Sequence, residues 1–229
     1  MLDGPEGHHA ATVQRLRVGE RLVLCDGRGG TVGAEVTGVA KGRLDVAVTG
    51  EPVVTAAADP RLVVVQGLPK GDRGDLAVQA MTEVGVDGIL PWAASRSVTR
   101  WRDDERGRKA NAKWVSTAVE AAKQARRSWL PDVGGDPALS TRQVADRLAA
   151  ADAAFVLHEE ATERLTTGKL PDIGEVLLVV GPEGGISDEE LDAFAAAGAQ
   201  PVRLGPSVLR TSTAGVAALA VLAARLGRW

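Results

Sequence analysis

A single cysteine, Cys25, stands in this chain of 229 residues, and one thiol cannot build a disulfide scaffold. Histidine is scarce too. His8, His9 and His158 are the only three, and with one cysteine they leave no structural zinc set, so no metal is expected. No stretch approaches the roughly 18 uncharged apolar residues of a membrane span. The opening MLDGPEGHHAATVQRLRVGE carries acids and histidines where a secretory leader needs a basic start and an apolar run. A soluble, cytoplasmic protein without a membrane partner is expected. An overall excess of positive charge is also missing, since 27 Lys and Arg face 30 Asp and Glu, net −3. Three catalytic or nucleotide signatures are absent as well: G-x-S-x-G, G-x-G-x-x-G and the Lys-Ser/Thr of a P-loop. No internal repeat or low-complexity tail is present.

Charge is nonetheless unevenly distributed. Residues 1–95 hold 9 basic and 12 acidic side chains, residues 96–127 hold 10 and 4, and residues 128–229 hold 8 and 14. The middle window is therefore +6 between flanks of −3 and −6. Such a window either faces a polyanion or forms a solvated helix face.

The first 58 or so residues read as β. The runs 21–25, 31–39 and 44–48 are apolar or alternating, and the turn-formers DGRGG and AKGR separate them, as in a small barrel. Pro52 to Pro60 reads as a linker. Beyond it strands alternate with helices, which predicts an α/β domain with a mostly parallel sheet. The strands are expected at 61–66, 86–91, 153–157, 175–180 and 202–204. The helices are expected at 73–84, 111–127, 144–150, 187–197 and 214–226. RLVVVQ and EVLLVV are nearly continuous apolar runs, as in strands covered on both faces.

Two turns carry candidate chemistry. Gly181-Pro182-Glu183-Gly184-Gly185 follows EVLLVV directly and precedes a capping box with Ser187 at the N-cap and Glu190 three residues on. Glycines there admit a ligand to the backbone, and ligands of open α/β sheets bind at such strand ends. Asp188, Glu189 and Glu190 would repel an anion and tolerate a ligand of cationic character. The glycines could equally serve turn geometry alone. The second turn, Leu204 to Ala214 (LGPSVLRTSTA), sets Arg210 before a nearly uncharged helix. A guanidinium there needs a partner or a ligand, and Thr211, Ser212 or Thr213 can cap the helix. His158 and Glu159 end a strand at the same sheet edge and offer a third loop.

These residues resemble a known family. VVGPEGGISDEEL followed by VRLGPSVLRTSTA is similar to the paired C-terminal motifs of the RsmE family of SPOUT methyltransferases. Further similarity lies in His8-His9 with VQRLRVGERLVLCDG, in QAMTEVGV (79–86), in Ser95-Arg96-Ser97 and in EAAKQARRSWLP (120–131), so nearly the whole chain is covered in order. The resemblance implies a small PUA-like β-barrel over 1–58 and a SPOUT domain with a trefoil knot and mostly parallel sheet over 59–229. It implies S-adenosylmethionine as cofactor and a homodimer. It implies methylation of N3 of a uridine, 1498 in standard numbering, in the 16S RNA of the small ribosomal subunit.

The resemblance assigns the cofactor to Leu157, His158, Glu159, Gly181 to Gly185, Leu204, Gly205 and Leu209 to Ala214. Arg210 is expected to stabilise negative charge on the uracil oxygens, and Glu183 to position the ligand or accept a proton. RNA contact is expected at His8, His9, Arg15, Arg17, Arg96, Lys123, Gln124, Arg126 and Arg127, with Trp101 or Trp129 able to stack on a base and Trp114 packed inside. Two departures stand out. Ser212 occupies the position where the family usually has Glu, and only seven residues precede His8, which suggests a trimmed or mis-assigned start. Two alternatives remain at this point: a related enzyme acting on a ribose 2′-hydroxyl or another base, and a non-catalytic RNA-binding assembly factor.

Overall fold

The structure, a computed structural model, describes all 229 residues, which form two compact units, Met1–Ala57 and Ala58–Trp229. In the first, a short helix α1 (Gly4–His8) runs into one π-helical turn (His9–Val13) and then into an antiparallel sheet. Its strands are β1 (Arg21–Cys25), β2 (Gly30–Ala40), β3 (Arg43–Val48) and β4 (Val53–Val54), all paired to β2 or along it. Ala34 and Val36 alternate into the interior of β2, and Val36 packs with Leu44 and Ala10. The expected linker at 52–60 is partly strand. Val53 and Val54 pair with Thr31 and Gly30, where β2 extends past β3 and has free backbone groups on that edge.

The second unit is a six-stranded sheet between two layers of helices. Along the chain come β5 (Arg61–Gly67), α2 (Arg73–Glu83), β6 (Gly88–Trp92), α3 (Glu105–Gln124), β7 (Asp132–Val133) and α4 (Thr141–Ala150). They are followed by β8 (Ala153–Leu157), β9 (Glu175–Val180), α5 (Asp188–Ala196), β10 (Gln200–Val202) and α6 (Thr211–Arg225). The sheet order is β10-β8-β9-β5-β6-β7 and every pair is parallel. The continuous apolar runs have the expected cause. Leu62 and Val64 face one layer with Val78, Met81, Trp114 and Leu219, while Val63 and Val65 face the other with Val144, Leu148 and Phe194.

The α3 helix starts at Glu105, six residues before the expected start. The Asp104 side chain accepts a hydrogen bond from the Gly107 N–H at 2.8 Å and so caps a charged first turn that has no apolar periodicity to reveal it. The α6 helix begins at Thr211 rather than 214, with Arg210 at its N-cap and no side-chain cap.

The amino-terminal edge of the sheet is closed by charge. The Asp87 carboxylate accepts from the Leu62 N–H (2.8 Å) and Arg228 (2.9 Å), with Arg127 at 3.8 Å. These side chains are 13% to 20% exposed. Arg127 also donates to the carbonyls of Thr82 (3.0 Å) and Val86 (2.7 Å). The cluster thus joins the ends of β5, α2, α3 and α6. Replacing Asp87 with Ala strands two partly buried guanidinium groups, and a loss of about 3–5 kcal/mol is expected in urea unfolding.

Candidate functional site

At the opposite, carboxyl-terminal edge, the loops after β8, β9 and β10 surround a cleft of about 550 Å³. The sheet order makes this a switch point: β6 and β7 extend to one side of β5, while β9, β8 and β10 lie on the other. Leu157, His158 and Glu159 come from the β8 loop, Gly181 to Gly185 from the β9 loop, and Leu204, Gly205, Leu209, Arg210, Thr211 and Ala214 from the β10 loop. Ser212 and Thr213 do not line it. Ser212 is buried, and the exposed Thr213 donates its hydroxyl hydrogen to the Arg210 carbonyl (3.2 Å).

The loops are pinned rather than free. Ser187 and Glu190 form the expected capping box, with Ser187 Oγ accepting from the Glu190 N–H (3.3 Å) and Glu190 Oε2 from the Ser187 N–H (3.1 Å). The other Glu190 oxygen accepts from the Ser95 N–H (2.7 Å) and the Thr141 hydroxyl (3.1 Å). Glu190 is therefore buried and spent on structure, and of the three acids at this helix start only Asp188 faces the cleft. The Thr211 hydroxyl does not cap α6 either. It donates to the Gly181 carbonyl (2.8 Å) and accepts from the Gln66 amide nitrogen (2.9 Å). Gln66, at the end of β5, is fully buried. Its signal in the sequence is one polar residue in the run RLVVVQG.

The charges of the cleft are mixed. Arg73, Arg96, Arg203 and Arg210 face Glu159, Glu160, Glu183 and Asp188. Arg210 is exposed and makes no ion pair within the protein. The Glu183 carboxylate accepts from Arg73 (2.8 Å) and from the Lys70 N–H (3.2 Å). Partial burial alone would raise its pKa, but the hydrogen bonds from Arg73 and the backbone outweigh that and hold it below the usual carboxylate value. A carboxylate stabilised in this way is a weaker proton acceptor than a free one.

The residues expected at RNA divide. Arg96 belongs to the cleft, where it donates to the Ile186 carbonyl (3.1 Å). Lys123, Gln124 and Arg126 are exposed but lie at the far end of α3, a helix of 20 residues and so about 30 Å long. Arg127, also expected at RNA, is instead mostly enclosed. Burial lowers its pKa despite Asp87, and its guanidinium is consumed by the cluster at the amino-terminal edge. His8, Arg15 and Arg17 are exposed and His9 half-buried on the first unit. Trp101 packs edge-on against Trp114, with centroids 4.8 Å apart. No group of three or more His, Cys, Asp or Glu could hold a metal ion, and no helix is long and apolar enough to cross a membrane.

Comparison with known proteins defines the class. Residues 57–223 match an RNA methyltransferase domain family and residues 2–49 an RNA methyltransferase PUA domain. The chain is 45% identical to the ribosomal RNA small subunit methyltransferase E of Mycobacterium bovis, over 100% of this chain and 87% of that protein. It is 29% identical to that of Bacillus subtilis, over 96% and 88%. The chain belongs to the RsmE, or ribosomal RNA small subunit methyltransferase E, family. Among solved structures it is similar to the Neisseria gonorrhoeae member bound to S-adenosylmethionine (28% identity, TM-score 0.87, 98% of this chain and 91% of that one). It is equally similar to a Legionella pneumophila methyltransferase with bound S-adenosylmethionine (30%, TM-score 0.87, 98% and 90%).

Because the Glu183 pKa is lowered on folding, the stability it contributes is complete above the unfolded value of about 4.3 and is lost as pH falls through the folded value. Carbon-13 NMR of the Glu183 carboxyl is expected to show its titration displaced to lower pH, and Arg73→Ala should move it back up.

Proposed function

We propose that this chain transfers a methyl group from S-adenosylmethionine to N3 of a uridine, position 1498 in standard numbering, in 16S ribosomal RNA. The observation that carries this reading is the meeting of three strand-end loops around one cleft that also presents an unpaired arginine. The residues fit the cofactor. The cleft lies within the roughly 300–1,000 Å³ of small-molecule sites. A Cβ on Gly181 would lie 2.9 Å from Ile186, and one on Gly184 2.9 Å from the Arg96 carbonyl, so these walls are bare backbone. Four carboxylates and four guanidinium groups suit a zwitterion that also carries a sulfonium. When bound, the cofactor supplies an electrophilic methyl group.

The protein's own residues do the rest. N3 of uridine becomes a nucleophile only on losing its proton, and it is hidden in any base pair, so the uridine is bound unpaired. Arg210 stands at the N-terminus of α6, where the helix dipole is also positive. Both favour the charge that spreads to the uracil oxygens. Glu183 fixes the Lys70–Arg73 loop beside the cleft. The tie from the buried Gln66 through Thr211 to Gly181 holds the loops in place.

Ser212, at the family's usual Glu position, lies outside the cleft. His8, His9, Arg15 and Arg17 are read as RNA contacts of the PUA-like unit. A knotted path for residues 181–214 and a homodimer belong to the same reading. The apolar α6 and the exposed Leu76, Val208 and Leu209 supply surface for a second copy. The substrate places the protein in the cytoplasm.

Calorimetry with S-adenosylmethionine and nucleoside mass spectrometry of small subunits that lack the modification test the reading together. N3-methyluridine is the expected product, and a 2′-O-methyl or other product would redirect it. Arg210→Ala is expected to lower kcat about 10²–10³-fold with unchanged circular dichroism. RNA affinity should fall steeply between 50 and 200 mM salt.

A further inference from the structure

A second cavity, about 170 Å³, is lined by the β5–α2 loop together with Thr99, Trp101 and residues of α3. Two tryptophans wall it. Trp114, on α3, is 3% exposed, and Trp101 is half-buried against it with ring planes crossed at 72°. The first turn of α2 rests directly on the Trp114 ring: a Cβ on Gly74 would lie 2.6 Å from it. Neither indole nitrogen is among the buried polar atoms left without a partner. At the rim, Asp75 and Lys113 form an ion pair. The Thr99 hydroxyl, which donates to the Pro69 carbonyl (2.7 Å), keeps lone pairs free.

This set has a specific complement. It offers part of the half-buried Trp101 ring, a hydroxyl, an ammonium and a carboxylate, and it has room for one flat ring with carbonyl acceptors and N–H donors on its edge. That describes a nucleobase. The surroundings suit the phosphates on either side of it, since Lys70, Arg102 and Arg106 are exposed and make no ion pair. The cavity is coupled to the cleft. Pro69 lines it, and the next residue, Lys70, donates its N–H to Glu183.

We propose that the cavity walled by Trp101 and Trp114 receives one unpaired base of the RNA substrate, next to the base that is methylated. The proposal rests on the RNA-methylating reading above. It gives the amino-terminal half of the basic window a ligand, whereas the carboxyl-terminal half lies at the other edge of the sheet.

The test uses the full chain with a fragment of small-subunit RNA that contains the target uridine. Trp101→Ala is expected to raise KM for the RNA about tenfold, as loss of one base stack does, with kcat and S-adenosylmethionine affinity unchanged; Trp101→Phe should restore KM. A series of RNAs, each with one abasic position near the target, identifies the base. One position should cost the wild-type protein about as much as Trp101→Ala does, and the two losses should not add. Lys113→Gln, at an exposed position, should raise KM about threefold and serves if Trp101→Ala does not fold. An unchanged KM, or losses that add at every abasic position, overturns the proposal. So does a Trp101→Ala defect that tracks a change of oligomeric state in sedimentation. Failure of the wild-type protein to methylate any RNA would instead sink the functional reading, and anisotropy titration of the same abasic series would still judge the pocket.

Discussion

One hydroxyl group holds the cleft together. Thr211 Oγ1 has a single hydrogen, directed to the Gly181 carbonyl, and it accepts the Gln66 amide in return. Three segments far apart in sequence, the ends of β5 and β9 and the start of α6, therefore meet at one atom. The arrangement has an energetic cost. Gln66 Oε1 is buried without a partner, a penalty on the order of 1–3 kcal/mol. The Gln66 nitrogen offsets part of it with bonds to Thr211 and to the Gly67 carbonyl (3.0 Å). A valine at 211 would keep the shape and lose both bonds, which is why residue type matters more here than volume.

The domain separates stability from chemistry by edge. At the amino-terminal edge, Asp87 gathers Arg127 and Arg228 into a desolvated cluster that fastens helix ends to strand starts. At the carboxyl-terminal edge the arginines stay exposed or reach carbonyls of neighbouring loops. A guanidinium already neutralised in the interior cannot also meet a phosphate, so Arg126 and Arg127, neighbours in sequence, have different fates. One is exposed in the left-handed region (φ 54°) and the other is enclosed.

Much of this was legible from residues alone. EVLLVV, GPEGG and the Ser187–Glu190 box read as strand, loop and capped helix, because each rests on local chemistry that neighbours in sequence complete. What the sequence hid is non-local. The pairing of Val53 and Val54 depends on a free stretch of β2 some twenty residues earlier. The start of α3 depends on a lone Asp104 cap, without a Glu or Gln three residues on. Gln66 reads as one more strand residue until Thr211 is placed against it. Glu190 looked like part of an acidic ligand surface, and only the folded chain brings Ser95 and Thr141 to its carboxylate. The surplus charge of residues 96–127 was visible, but its division between two edges follows from a helix that crosses the whole domain.

The close approach at Gly67 has a further meaning. A Cβ there would lie 2.7 Å from the Pro182 ring and 2.8 Å from its backbone nitrogen, so the end of β5 and the glycine loop touch with only a rigid proline ring at the contact. Such a joint has few rotamers to freeze. The ordering entropy of this wall is spent when the protein folds, and an arriving molecule meets a surface already in shape. Affinity for a small, flexible donor can then be gained without a moving flap.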